Sequence, residues 1–119
     1  MHPGVFTMKL LTRHEEHVLL TILNLEGNAY LVTIKKYLEA HTPKDLSLGT
    51  LYVSLQRLGK MGYVRHSLGE STSKRGGKAI KYYSLTKAGL RALEQTLQIQ
   101  ESIWSGFSRL AHKAQDSHE

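Results

Sequence analysis

The stretch Ser47–Gly62, SLGTLYVSLQRLGKMG, contains no acid and a full set of groups that read or hold nucleic acid. An amide such as Gln56 can pair with N6 and N7 of adenine. A guanidinium such as Arg57 can take O6 and N7 of guanine or a phosphate, and Val53 can meet a thymine methyl. The hydroxyls of Ser47, Thr50 and Tyr52 suit phosphate oxygens. Gly49 has no side chain to keep the backbone away from a ligand, and a helix N-terminus favours an anion. Lys35, Lys36, Lys60, Arg65, Lys74, Arg75 and Lys78 would add attraction that ignores sequence and weakens with salt. Lys81 falls within a strand, where it can equally serve only to keep that strand solvated.

Other chemistry is poorly supported. Histidine occurs at positions 2, 14, 17, 41, 66, 112 and 118. His14 and His17 are one helical turn apart and could share a metal, but no carboxylate motif completes the set, so no metal is expected. The absence of cysteine removes disulfides and thiolate sites and suits a reducing, cytoplasmic setting. Gly76-Gly77 does not join a strand to a helix start, so it fails the context for a phosphate-cradling loop. No nucleophile has a base at a recognisable spacing. The expectation is a protein that is not an enzyme and carries no cofactor.

The acid-free stretch has both helix ends marked. Ser47 is a good N-cap, Leu46 and Leu51 can staple across it, and Gly62 can close the helix. At 100° per residue Leu48, Leu51, Leu55 and Leu58 share one side, and Gly49, Val53, Gln56 and Lys60 the other. Two short helices precede it. The first opens on the capping box Thr12-Arg13-His14-Glu15 and stops near Gly27. The second runs from about Ala29 to Ala40, ahead of Pro43. Tyr63-Val64 and Tyr82-Tyr83 favour strands. They flank a Gly-, Ser- and charge-rich segment from Gly69 to Lys78, which predicts a hairpin with a basic tip. Thr86 caps a last helix expected to reach about Ala111.

With 119 residues the chain suits one domain, and its net charge of +6 is unevenly placed. From Arg57 to Arg91 there are nine Lys/Arg and one acid, Glu70. No apolar run is long enough to span a bilayer, and no secretory signal pattern stands at the N-terminus. The last helix carries Leu90, Leu93, Leu97, Trp104, Phe107 and Ala111 on one stripe, widened by Ile99, Ile103 and Leu110. At roughly 40 Å it would outrun so small a core, so a second copy is expected to cover it. Leu97, Gln100, Trp104 and Phe107 are the candidate dimer interface or pocket for a small hydrophobic effector.

Three short helices, a hairpin and a long helix are the parts of a winged helix-turn-helix, an α+β fold that is mainly α, followed by a C-terminal dimerisation helix. The expected divisions are an arm at 1–9, a DNA-binding domain at 10–85, the dimerisation helix at 86–112 and a tail at 113–119. The stretches GNAYLVTIKKYLE, SLGTLYVSLQRLGKMGYV and RGGKAIKYYSLTKAGLRAL resemble the PadR family of transcriptional regulators over Leu19 to Leu93. Ser47, Gly49, Tyr52, Leu55, Arg57 and Leu58, with Tyr82-Tyr83-x-Leu85-Thr86, carry the resemblance. It departs at Leu31, where relatives often have Gly, and at Ile80, where many have Pro or a basic residue. The resemblance implies a homodimer that binds double-stranded DNA at a near-palindromic operator, usually to repress, sometimes released by an aromatic effector. The rival reading is a winged helix that docks on protein and has no specific DNA site.

Overall fold

The computed structural model describes residues 10–69 and 79–117. The first helix, α1 (Arg13–Asn24), opens on the expected capping box. The Glu15 N–H donates to Thr12 Oγ1 (3.1 Å) and the Thr12 N–H returns to Glu15 Oε1 (2.8 Å). These bonds compensate a carboxylate that is almost fully buried. Glu26 and Gly27 then take left-handed backbone and reverse the chain.

The second helix, α2 (Leu31–His41), starts two residues later than the sequence suggested. Thr33 sets its entry by accepting from the Tyr30 N–H and donating to the Asn28 carbonyl. Thr42 is extended ahead of Pro43, as the proline ring demands. Helix α3 (Leu48–Lys60) is capped by Ser47, whose Oγ accepts from the Thr50 N–H at 3.1 Å. Gly62, at φ 82°, turns the chain into β1 (Val64–Leu68).

Strand β1 pairs antiparallel with β2 (Lys81–Leu85), from Val64 opposite Leu85 to Leu68 opposite Lys81. One further bond, from the Gly69 N–H to the Ile80 carbonyl, extends the base of the hairpin. A bond from the Tyr83 N–H to the Ala29 carbonyl (2.8 Å) ties β2 to the α1–α2 turn.

Helix α4 (Lys87–Trp104) is capped by Thr86, whose hydroxyl accepts from the Gly89 N–H and donates to the Gly62 carbonyl. Gly89 lets α4 lie directly on the hairpin entry, since a Cβ there would sit 2.2 Å from the Tyr63 carbonyl oxygen. Leu19, Ile34, Leu51, Leu55 and Leu58 join the three helices in one core, which Val64, Tyr83 and Leu93 close from the sheet and α4.

The long helix stops before the Ala111 expected from its periodicity. Ser105 leaves helical geometry (ψ 128°), Gly106 is left-handed (φ 79°), and a separate helix α5 (Phe107–Asp116) follows. Helical structure therefore runs past residue 112, where a tail was expected to begin. The arm at 1–9 lies outside the described residues. The radius of gyration is 18.4 Å, against about 13.5 Å for a compact domain of this length. No residue of α5 is buried.

Candidate nucleic-acid interface

Helix α3 buries Leu51, Leu55 and Leu58 and turns its other side outward. Ser47, Gly49, Thr50, Val53, Gln56, Arg57 and Lys60 are all exposed. Arg57 has no acidic partner among the described residues. Tyr52 is half-buried at the edge of this face. The Lys81 ammonium lies 5.4 Å from its ring centroid, and the Gln56 amide donates to its phenol oxygen at 3.1 Å. Tyr52 thus packs on the wing and orients Gln56 from one helical turn away. Burial raises the pKa of the neighbouring Tyr83 phenol, with a smaller contribution from Tyr52.

The expected cations divide into groups. Lys36 is exposed. Lys35 pairs with Glu39 on its own helix and lies 3.8 Å from Asp45. Its hydrogen bond to Glu39 raises its pKa, so its charge is largely answered within the protein. Lys74, Arg75 and Lys78 lie outside the described residues.

The structure also brings His66 and Lys81 beside two of the expected cations, Lys60 and Arg65. A cleft of about 450 Å³ between α3 and the hairpin is lined by Gln56, Lys60, Arg65, His66, Lys81 and Tyr83. His66 was not singled out, and Lys81 was weighed only as a solvated strand residue. Their shared cleft depends on hairpin register, which places His66 opposite Tyr83 and Lys81 opposite Leu68. One open groove with a reading amide on one wall and cations on the other can hold a phosphate backbone beside base edges.

The structure gives His14 other partners. No group of three potential ligands occurs among the described residues. His14 instead meets Ser54 Oγ at 2.9 Å and Lys44 Nζ at 3.3 Å. Burial lowers the pKa of His14, and Lys44 adds to the effect.

On the C-terminal limb Leu97 (55%), Trp104 (57%) and Phe107 (55%) are exposed, and the two aromatic rings meet edge to face at 4.9 Å. Gln100 differs from them. Its amide donates to both carboxylate oxygens of Glu16 in the same chain, at 2.8 and 2.9 Å. It therefore fixes α4 to α1.

Residues 19–95 match the profile of the Transcriptional regulator PadR-like family. The chain belongs to the PadR-like family. A PadR-like transcriptional regulator from Bacillus cereus is 26% identical, superposes with a TM-score of 0.67, and shares 82% of this chain and 90% of its own. A PadR-family regulator from Eggerthella lenta is also 26% identical, with a TM-score of 0.62 and 83% of each chain covered. RosR of H. salinarum is similar at 26% identity and a TM-score of 0.62, over 91% of this chain and 94% of its own. No curated protein matches the chain.

This PadR-like chain is accordingly a DNA-binding transcriptional regulator built on a winged helix, not an enzyme. No helix among the described residues is long and apolar enough to cross a membrane.

Proposed function

We propose that this PadR-like protein works in the cytoplasm as a homodimeric repressor on a near-palindromic operator. Helix α3 enters the major groove, with Gly49, Thr50, Gln56, Arg57 and Lys60 nearest the bases and Ser47 at a phosphate. The hairpin lies along the backbone, and Lys74, Arg75 and Lys78 contribute their charge to that contact. The observation that carries this reading is the acid-free, exposed face of α3 flanked by the Lys60–Arg65–Lys81 cleft. Such a surface attracts phosphates.

The apolar limb supports the second copy. Leu97, Ile103, Trp104, Phe107 and Leu110 are each at least half exposed, a patch too contiguous for an isolated soluble chain. Around the α4–α5 break, Ile103, Trp104, Phe107 and Leu110 line an apolar recess of about 420 Å³. A flat hydrophobic effector held there between copies would shift the spacing of the recognition helices and release the operator.

Selection from random duplex DNA, followed by retesting at two salt concentrations, tests the reading. A near-palindromic winner with half-sites about one helical turn apart is expected. Absence of any enriched sequence, with binding that disappears at moderate salt, would overturn it in favour of a protein-docking module.

A further inference from the structure

The first turn of α1 sends three consecutive side chains to three different places. Glu15 caps its own helix, His14 reaches α3, and Glu16 reaches α4. We propose that α1 is the mechanical link between the dimerisation helix and the recognition helix, with His14 and Glu16 as its positioning residues. The proposal rests on the reading of α3 as the DNA reader and α4 as the dimer helix.

The hydrogen-bond donors at the α3 end can be assigned from the geometry. Ser54 spends its hydroxyl hydrogen on the Thr50 carbonyl, 3.2 Å away within α3. It can then only accept from His14 Nε2. The Lys44 ammonium has donors and no acceptor, so His14 Nδ1 must accept from it. The two neighbours together fix the neutral imidazole with its proton on Nε2. A proton added at Nδ1 would point at the Lys44 ammonium. Ser54 sits between Val53 and Gln56 in sequence, so movement at this contact is movement of the reading face.

At the other end, the Gln100 amide donates to both oxygens of Glu16, which Arg13 also approaches at 3.6 Å. Between these contacts α1 is anchored by Val18, Leu19 and Ile22 in the core. A helix whose inner face is close-packed in the core transmits a displacement instead of absorbing it. In a dimer, the separation of the two reading faces depends on how each α3 is held relative to α4. His14 and Glu16 add polar ties from a common turn to the core contacts of Leu51, Leu55, Leu58 and Leu93.

The test uses Gln100→Leu, His14→Asn, their combination, and the exchange Glu16→Gln with Gln100→Glu, which restores a donor–acceptor pair in reverse. In the DNA-free protein, Gln100→Leu is expected to move the Ser54 amide and His14 imidazole nitrogen resonances, and the exchange to bring them back. On the selected operator, wild type should discriminate against a spacer changed by one base pair. Gln100→Leu should reduce that discrimination by about two- to thirtyfold. A linkage in series predicts that Gln100→Leu with His14→Asn loses no more than the worse single variant. Unmoved Ser54 and His14 signals, or losses that simply multiply, overturn the link. If selection yields no operator, the DNA reading has failed, and the resonance shifts still decide whether α1 couples α3 to α4.

Discussion

Replacing Trp104 by alanine is expected to weaken the proposed dimer without unfolding the protomer. Trp104 is the only tryptophan and 57% of its surface is exposed. A tryptophan can bury about 250 Å², so about 140 Å² remains for a second copy to cover. At about 25 cal/mol per Å² that is about 3.5 kcal/mol per protomer. A two-fold interface loses it twice, which gives about 7 kcal/mol as an upper bound. Relaxation of neighbours such as Phe107 into the gap recovers part of this. Even a third of the bound, about 2 kcal/mol, corresponds to about thirtyfold in dissociation constant. Sedimentation equilibrium across a wide concentration range measures it directly, with circular dichroism to show that the helices persist. Dilution of wild type should also red-shift the emission of Trp104 as it meets water. A Trp104→Ala protein that stays folded and dimerises within threefold of wild type would refute the assignment of this limb to the dimer.

Gly89→Ala should destabilise the protein even though alanine is the better helix former by about 1 kcal/mol. The new Cβ would meet the Tyr63 carbonyl oxygen at 2.2 Å, both of whose flanking segments are fixed, and a cost of about 1–3 kcal/mol is expected as a lower thermal midpoint. An unchanged or higher midpoint would mean α4 does not lie on the hairpin entry. Stability should fall as pH drops below about 6.5. Burial first, then Lys44, lowers the pKa of both His14 and His17 from the ordinary 6.5. The unfolded chain therefore binds more protons below that pH, and stability present above it is lost towards the folded-state values. Urea midpoints at pH 7.5 and 5.5 measure the slope, which His14→Asn should flatten. Arg57→Ala should cost about 1–3 kcal/mol in operator binding and relax preference at one position. Lys81→Ala should weaken all sequences alike and lower the salt slope by about one. The reverse pattern, in competition binding at two salt concentrations, would exchange their roles.

Features fixed within one helical turn were legible in the sequence. Thr12 with Glu15, Ser47 and Thr86 all announce helix starts because the capping oxygen lies three residues from its N–H. The division of α3 into a buried and an exposed face was legible for a related reason, since a helix period sorts its residues without reference to the rest of the fold. The break at Ser105 was hidden by periodicity, because apolar residues continue in step from Trp104 to Phe107 and Leu110. Gly106 was the available signal, as the residue that tolerates left-handed backbone. The Lys35–Glu39 pair could be read from its spacing of four, but Asp45 reaches Lys35 across a turn. Gln100 looked like an interface residue from its apolar neighbours on α4. Its partner Glu16 is 84 residues away, and no local pattern reveals such a contact.

The bond from Tyr83 to Ala29 and the closing bond from Gly69 to Ile80 separate the hairpin into a seated base and whatever lies between its ends. The base is held twice over, by these backbone groups and by the Val64 and Tyr83 side chains buried in the core. Arg65 and His66 therefore ride on a strand whose register and seat are set by its neighbours. They behave as replaceable fittings: exchanging them would alter what the wing presents without retuning the fold that carries it.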